Sequence, residues 1–303
     1  MDMTTLRDLY TAGRITKHEY IHEMQKERKN LHRFADFLSN SGISKVEITD
    51  SQVVMTDSIY GIKMVCDSQD ERAIPTEILN FGPYEKKDSD MALKLMEGCD
   101  DVFDVGANFG WYSMLWAKTF PETVIHSFEP VPKTYAYLCL NKKLNKLKNI
   151  IAYNYGLSTA NELLPVSYYP EGSGNASIKQ LQTRPSEQVI CHFQRLDDLF
   201  TTHLDFLKVD VEGAELSVFK GGENAIRSSI PIIFVELCAK WLDKFGNNPN
   251  DVFDLLNDWG YRGFVVAQNG KLQACDRWNP NLTEVNFFFL HTTNHASKIM
   301  EFS

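Results

Sequence analysis

An excess of positive charge is missing from this chain. Its 31 Lys and Arg stand against 40 Asp and Glu, a formal net charge of -9 with a pI near 5.4. Broad nucleic-acid binding leans on a basic face that neutralises phosphates, so no nucleic-acid partner is expected. Long apolar runs are missing too. The longest, Ile230–Val235, is far short of a membrane span, and Met1–Tyr10 lacks the apolar core of a secretory signal. A cytoplasmic protein with no membrane span is the expectation. Cysteine is sparse and scattered: Cys66, Cys99, Cys139, Cys191, Cys238 and Cys275 form no C-x-x-C and no Cys/His pair at metal-ligand spacing. They read as reduced thiols, and without a secretory signal the glycosylation patterns at Asn175 and Asn281 read as chance matches. Internal repeats, low-complexity tracts and the G-x-G-x-x-G of dinucleotide enzymes are also absent.

What is present suits a soluble globular protein. The 303 residues are 43% hydrophobic and 23% charged, enough for one large domain or a domain with an appendage. Thr16-Lys17-His18-Glu19 is a capping box that opens a helix. Tyr20, Met24, Leu31, Phe34, Ala35 and Leu38 then recur at helical spacing, and Gly42 stops the run. This helix reads as an oligomerisation or partner-docking element, with a homo-oligomer as one option, or as a helix packed on its own domain. Residues 45–66 read as short antiparallel strands with a turn near Tyr60-Gly61. Residues 1–66 thus form an N-terminal extension, and 67–303 the main domain.

Phe81-Gly82-Pro83-Tyr84-Glu85 is a turn, and Asp88 or Ser89 can cap the helix that follows. From Cys99 onward apolar strands, at 102–105, 124–128, 150–155, 206–209 and 232–237, alternate with helical stretches. That alternation predicts a doubly wound, Rossmann-like α/β sheet, mostly parallel, with covering helices. Two last strands, near Gly263–Ala267 and Val285–Leu290, predict a hairpin through Asn269-Gly270 and one antiparallel strand at the sheet edge. Between 161 and 195 the rhythm breaks. Leu163–Tyr169 reads as an extra strand, and residues 170–175 as a loop that either closes over the site or simply connects a hairpin.

The chemistry-bearing motif is Asp104-Val105-Gly106-Ala107-Asn108-Phe109-Gly110, a strand running into a glycine-punctuated turn and a helix. Such a turn brings a ligand against the backbone at a helix N-terminus. An Asp at the strand end suits a cationic amine rather than a pyrophosphate, and S-adenosylmethionine (SAM) has an amine and no phosphate. Asp104, Gly106, Asn108 and Gly110 are therefore candidate cofactor residues. Glu129 ends the second strand, nineteen residues after Gly110, where an acid can accept both ribose hydroxyls. Pro130 follows it and fixes the chain. Asn154, Tyr155 and Gly156, at the tip of the third strand, are placed beside an adenine, with Tyr155 as a stacking ring.

The fourth strand ends in Leu207-Lys208-Val209-Asp210-Val211-Glu212-Gly213-Ala214-Glu215. Alternation puts Lys208 and Asp210 on one side, where they can pair. Charge this dense at a strand end points to function, because buried ionisable groups are rare unless paired or functional. Lys208, Asp210, Glu212 and Glu236 are the candidate catalytic residues: one of the three acids as base, Lys208 orienting or polarising, and Asp210 also beside the cofactor. The acids could gather oxygen ligands for Mg²⁺; a metal-free site is preferred. His126 reads as a core residue inside a strand, and His192 and His203 as outlying candidates. Trp241, Trp278, Tyr168 and Tyr169 could line a sugar-stacking cleft.

These motifs together resemble the FkbM-type SAM-dependent methyltransferases. The resemblance rests on Asp104–Gly110, Phe128-Glu129-Pro130, Asn175-Ala176-Ser177, Arg195–Leu199, Leu207–Glu215 and Phe234-Val235-Glu236. It covers roughly residues 80–266. It implies a class I methyltransferase sheet, SAM as cofactor, and O-methyl transfer to a hydroxyl of a sugar, glycan or natural-product small molecule. A dehydrogenase using NAD is a rival that lacks its fingerprint. A non-catalytic SAM-binding regulator or scaffold, docking a partner through the N-terminal helix, is the alternative. Release of S-adenosylhomocysteine (SAH) with an acceptor separates the two.

Overall fold

The computed structural model describes residues 2–50, 52–183, 185–199 and 203–303. The chain opens with helices α1 (Met3–Thr11) and α2 (Lys17–Leu38), then the antiparallel strands β1 (Ile43–Ile48), β2 (Val53–Asp57) and β3 (Lys63–Cys66). The capping box is formed: Thr16 Oγ1 accepts the Glu19 N–H at 3.2 Å and the Glu19 carboxylate accepts the Thr16 N–H at 2.7 Å. No described side chain of α2 is buried. Tyr20 stacks on Tyr10 of α1, while Leu31, Phe34 and Phe37 stay exposed. The predicted turn between β2 and β3 is held by Asp57, which accepts the N–H groups of Ile59, Tyr60 and Ile62.

Helix α3 (Ile74–Phe81), not anticipated from the sequence, precedes α4 (Lys86–Leu95). Helix α4 begins before the expected caps Asp88 and Ser89, which lie inside it; Glu85 is its N-cap residue. The alternating region follows: β4 (Asp101–Val105), α5 (Trp111–Thr119), β5 (Val124–Phe128), α6 (Pro132–Leu144) and β6 (Ile150–Tyr153). Next come β7 (Gly156–Leu157), β8 (Glu162–Tyr168) and β9 (Glu187–Gln194), then β10 (Phe206–Val209), α7 (Glu215–Gly221), α8 (Glu223–Ser229) and β11 (Ile232–Glu236). The chain ends with α9 (Ala239–Leu242), α10 (Pro249–Asp258), β12 (Tyr261–Val266), β13 (Leu272–Ala274), β14 (Asn286–His291) and α11 (Ala296–Phe302).

The main sheet has eight strands in the order β13-β12-β14-β11-β10-β4-β5-β6. From β11 to β6 all neighbours are parallel. An antiparallel strand does close the edge, but it is not the one near Val285–Leu290 that the sequence pointed to. Strand β14 is inserted between β11 and β12, antiparallel to both, and the edge belongs to β13, joined to β12 through the Asn269-Gly270 turn. Composition explains the order. Phe287, Phe288, Phe289 and Leu290 of β14 are all fully buried, as a strand covered on both faces requires. Strand β13 exposes Gln273 and Ala274. The third parallel strand stops at Tyr153, because the chain turns at Asn154 and Tyr155 to start a second sheet, β7-β9-β8. That sheet includes the predicted extra strand as β8; β9 was not anticipated.

Alternate residues of the central strands feed two cores. Val102 and Phe206 join Leu95, Met114 and Trp116 on one face, a core that also takes in Ile62 and Met64 of the N-terminal strands. Phe103, Val105, Leu207 and Val209 join Phe219, Ile226 and Phe253 on the other. Chain order reverses between β4 and β10, and open α/β sheets place ligands at the carboxyl end of such a switch point. Among the described residues, no helix is long and apolar enough to cross a membrane.

Candidate active site

Register sets Asp104 of β4 opposite Lys208 of β10. The Lys208 Nζ is 3.6 Å from Asp104 Oδ1, 3.0 Å from Asp210 Oδ2, and 5.2 Å from the centre of the Tyr112 ring. Burial works against the lysine's charge, but Asp210 and then Asp104 outweigh it and hold its pKa above the ordinary value. Asp104 is fully buried and also accepts from the Ser113 hydroxyl. Burial pushes its carboxyl up, opposed by Lys208 and then Ser113. Asp104 therefore does not line the cavity where the sequence reading put it; it lies beneath, as the counter-charge of Lys208.

Two glycines of the motif act differently from each other. At Gly106, with φ +80°, an added Cβ would lie 1.7 Å from the Asp210 carbonyl oxygen, so only glycine lets the end of β10 cross the turn. Gly110 is the N-cap of α5, and a Cβ there would meet Leu138 and Met114. Its role is packing, away from the cavity. The N–H groups of Gly106 and Ala107 both donate to the Phe128 carbonyl, which ties the turn to β5.

Glu129 follows directly. Its Oε2 accepts the Asn108 N–H at 3.0 Å and its Oε1 accepts the Val131 N–H at 2.9 Å. Burial pushes its carboxyl up to about 7 against those two bonds. Asn154 lies behind, donating to the Glu129 and Pro130 carbonyls, and Tyr155 packs on Phe128, Tyr153 and His192. Neither Asn154 nor Tyr155 lines the cavity, so Tyr155 is not the stacking ring expected from the sequence. A residue at a strand tip is easily taken for a ligand contact when the next strand is invisible; here β9 covers that side.

At the end of β10, Glu215 organises the turn: its Oε1 accepts the N–H groups of Gly213 and Val211, and burial pushes its carboxyl up to about 7. Glu212 sits in that turn with φ +54°. Its carboxyl is held well above the ordinary value by burial, then by Asp210 and Glu215. Glu236, at the end of β11, is raised likewise by burial, then by Asp210 and Glu212. His126 is the core residue expected, bridging Tyr153 and Asp101.

The sequence reading missed Glu85. The Tyr112 hydroxyl donates to Glu85 Oε2 at 2.6 Å, and burial raises the Glu85 carboxyl. The two are 27 positions apart, so only the fold joins them; the single signal was Tyr84-Glu85 immediately ahead of a helix after a Gly-Pro turn. It also left open the roof. Residues 173–178, between β8 and β9, line the cavity. Asp70, buried, accepts both the N–H and the hydroxyl of Ser173, and the Ser177 hydroxyl donates to the Glu212 carbonyl. The loop is thus a clamped wall of the site.

Together these elements enclose a cavity of about 520 Å³. It gathers Gly106, Asn108, Glu129, Pro130, Gly156, Lys208, Asp210, Glu212 and Glu236 of the predicted residues, and adds Tyr84, Glu85, Trp111 and Tyr112. Of the aromatic candidates only Trp241 lines it; Tyr168 and Tyr169 are buried elsewhere. Among the described residues, six carboxylates (Glu77, Glu85, Glu129, Asp210, Glu212, Glu236) face three cations (Arg72, Lys208, Lys240). Two of those cations already have acids, Arg72 with Glu77 and Lys208 with Asp210. The cavity therefore suits a cationic ligand and opposes a pyrophosphate. Among the described residues, no three His, Cys, Asp or Glu groups come together to hold a metal ion.

Residues 104–262 match the model of the methyltransferase FkbM domain. Methyltransferase sdnD from Sordaria araneosa is 31% identical over 211 residues, 59% of this chain and 78% of that protein. Methyltransferase 1 from Beauveria bassiana is 28% identical over 163 residues, 46% of this chain and 66% of that one. The hexuronic acid methyltransferase AglP from Haloferax volcanii is 28% identical over 170 residues, 55% of this chain and 66% of that protein. The chain thus spans just under two thirds of the length of the latter two relatives.

Proposed function

The chain belongs to the FkbM methyltransferase family, and from that premise we propose that it is a SAM-dependent O-methyltransferase acting on a hydroxyl of a sugar, glycan or natural product. The observation that carries this reading is one cavity joining a backbone-anchored acid, Glu129, to the Lys208, Asp210, Glu212 and Glu236 cluster.

The residues present fit SAM. Each Glu129 oxygen holds one backbone N–H and keeps lone pairs for a ribose hydroxyl. The surplus of carboxylates suits a ligand carrying a sulfonium and an ammonium. When bound, SAM supplies the electrophilic methyl group. The chain's own residues do the remaining work. Lys208 pins Asp210 at the end of β10. Glu236 or Glu212, with raised proton affinity, takes the proton of the acceptor hydroxyl, which is a poor nucleophile until that proton moves. The clamped loop 173–178 limits water. A relative that methylates a hexuronic acid supports a sugar as acceptor.

The test is SAH release from SAM across a panel of glycans, nucleotide sugars and hydroxylated natural products, with the product identified by mass. A methyl ether is the expected product. Turnover confined to thiols or amines overturns the acceptor class, and failure to bind SAM or SAH overturns the cofactor.

A further inference from the structure

Resting on the SAM reading above, we infer that Glu85 is the carboxylate that binds the ammonium group of the cofactor's amino-acid tail. An ammonium needs an accessible acid with unshared lone pairs, held in a fixed position. Asp104, the acid at the motif strand, is disqualified by its surroundings: it is fully buried, one oxygen takes the Ser113 hydroxyl and the other faces Lys208. Asp210 is bonded to Lys208 at 3.0 Å. Glu129 is bonded to two backbone N–H groups at the end of β5.

Glu85 differs from all three. It is the N-cap residue of α4, yet its side chain caps none of that helix's N–H groups. Its backbone is left-handed, φ 42° and ψ 44°, a conformation non-glycine residues adopt rarely and which clusters at functional sites. Glu85 lines the cavity, and its carboxylate takes the Tyr112 hydroxyl at 2.6 Å with the Asn286 side chain as a second, neutral donor, so among the described residues no cation or backbone N–H occupies it. Tyr112 is itself fixed, its ring beneath the Lys208 ammonium and against Phe234. A strained backbone and a tyrosine donor thus hold this acid in the cavity at the expense of a helix cap. Burial raises its proton affinity, with Asp210 adding to it, and a bound cation relieves both effects.

The test is calorimetric titration of the purified chain with SAH and with 5′-methylthioadenosine, which keeps the adenosine and the thioether but lacks the amino-acid tail. In Glu85→Gln the SAH Kd is expected to rise roughly 10- to 100-fold, the size of a lost charge-assisted bond, while methylthioadenosine binds as to the native chain. Tyr112→Phe should weaken SAH by a smaller factor, and Glu223→Gln, on the exposed face of α8 away from the cavity, should leave it unchanged. Undiminished SAH binding in Glu85→Gln overturns the assignment. So does an equal loss for both ligands, which places the fault in the fold. A native chain that binds neither ligand overturns the SAM reading itself, and this assignment with it.

Discussion

The carbonyl oxygen of Asp210 occupies the space that a side chain on Gly106 would need: a Cβ there would sit 1.7 Å from it. The two residues end neighbouring strands, and the Asp210 N–H donates to the Val105 carbonyl at 3.0 Å. The glycine thus fixes the spacing between the turn after β4 and the charged cluster at the end of β10. Gly106→Ala must push the ends of β4 and β10 apart and also occupy φ +80°. A loss of at least about 3 kcal/mol is expected from the two effects combined, read by urea denaturation, together with loss of SAH binding. An alanine variant as stable as the native chain would show that the crossing is not tight.

Lys208 and Asp104 make a second such pair, with side chains only 5% and 1% exposed. Lys208→Met leaves Asp104 buried with one hydroxyl partner and an oxygen that already lacks a hydrogen bond. Breaking a buried pair from one side costs about 3–5 kcal/mol. The variant should therefore be unstable as well as inactive, which makes it a poor probe of chemistry. Asp104→Asn combined with Lys208→Met should recover most of the stability and none of the activity. Additive losses in that double variant, measured by denaturant titration, would show that the two groups do not depend on each other.

Much of this arrangement was legible in the chain. The alternation of strands and helices predicted the sheet, and charge at the end of β10 predicted the cluster, because strand periodicity states which residues share a face. Depth is not stated by periodicity. Asp104 and Lys208 fall on one face, but only the Ser113 hydroxyl and the packing of α5 reveal that Asp104 is sealed beneath the site. Other elements were also lost: α3 and β13 are brief, and β9, though eight residues long, is exposed at half of its positions and does not stand out from a loop. The place of β14 is a pairing choice made by its four fully buried residues, 287–290, which need neighbours on both sides.

Glu129 links pH to both stability and affinity. Its carboxyl lies up at about 7 in the folded chain, against an ordinary value of 4.5. A carboxyl raised by folding stabilises the protein when protonated. That contribution is full below about pH 4.5 and is lost as pH rises through about 7, a difference on the order of 3 kcal/mol. Glu215 behaves the same way but does not line the cavity. Glu129→Gln should therefore flatten part of the stability profile. Ribose hydroxyls donate best to the ionised acid, so SAH affinity should rise between about pH 6 and pH 8. In Glu129→Gln the affinity should be lower and its pH dependence shallower, the remainder belonging to Glu85. A slope undiminished in the variant would assign the titration to another group.

Asp70 is the hinge pin of the roof. It accepts the Ser173 N–H at 3.0 Å, the Ser173 hydroxyl, and the Arg72 N–H at 2.9 Å. Asp70→Ala removes all three without touching the reacting cluster. The loop 173–178 should then open more often, raising KM about tenfold, with kcat changed less. Limited proteolysis should cut the variant within this loop sooner than the native chain. Unchanged KM and unchanged cleavage together would mean that the loop needs no such tether.

We assign the base role to Glu236, at the end of β11, which is lifted by burial, then by Asp210 and Glu212, while Asp210 is committed to Lys208. Glu236→Gln should lower kcat about 10²- to 10⁴-fold and leave SAH affinity intact. An acceptor hydroxyl that is itself more acidic, a phenol in place of an alcohol, should narrow that gap, since it needs less help losing its proton. Glu212→Gln should act differently. It removes one charge that raises Glu236, so the acidic limb of the rate profile should move to lower pH while the enzyme stays active. If instead Glu212→Gln abolishes turnover and Glu236→Gln only shifts the limb, the two acids exchange roles. A Glu236→Gln variant with native kcat on an alcohol would remove it from the chemistry altogether.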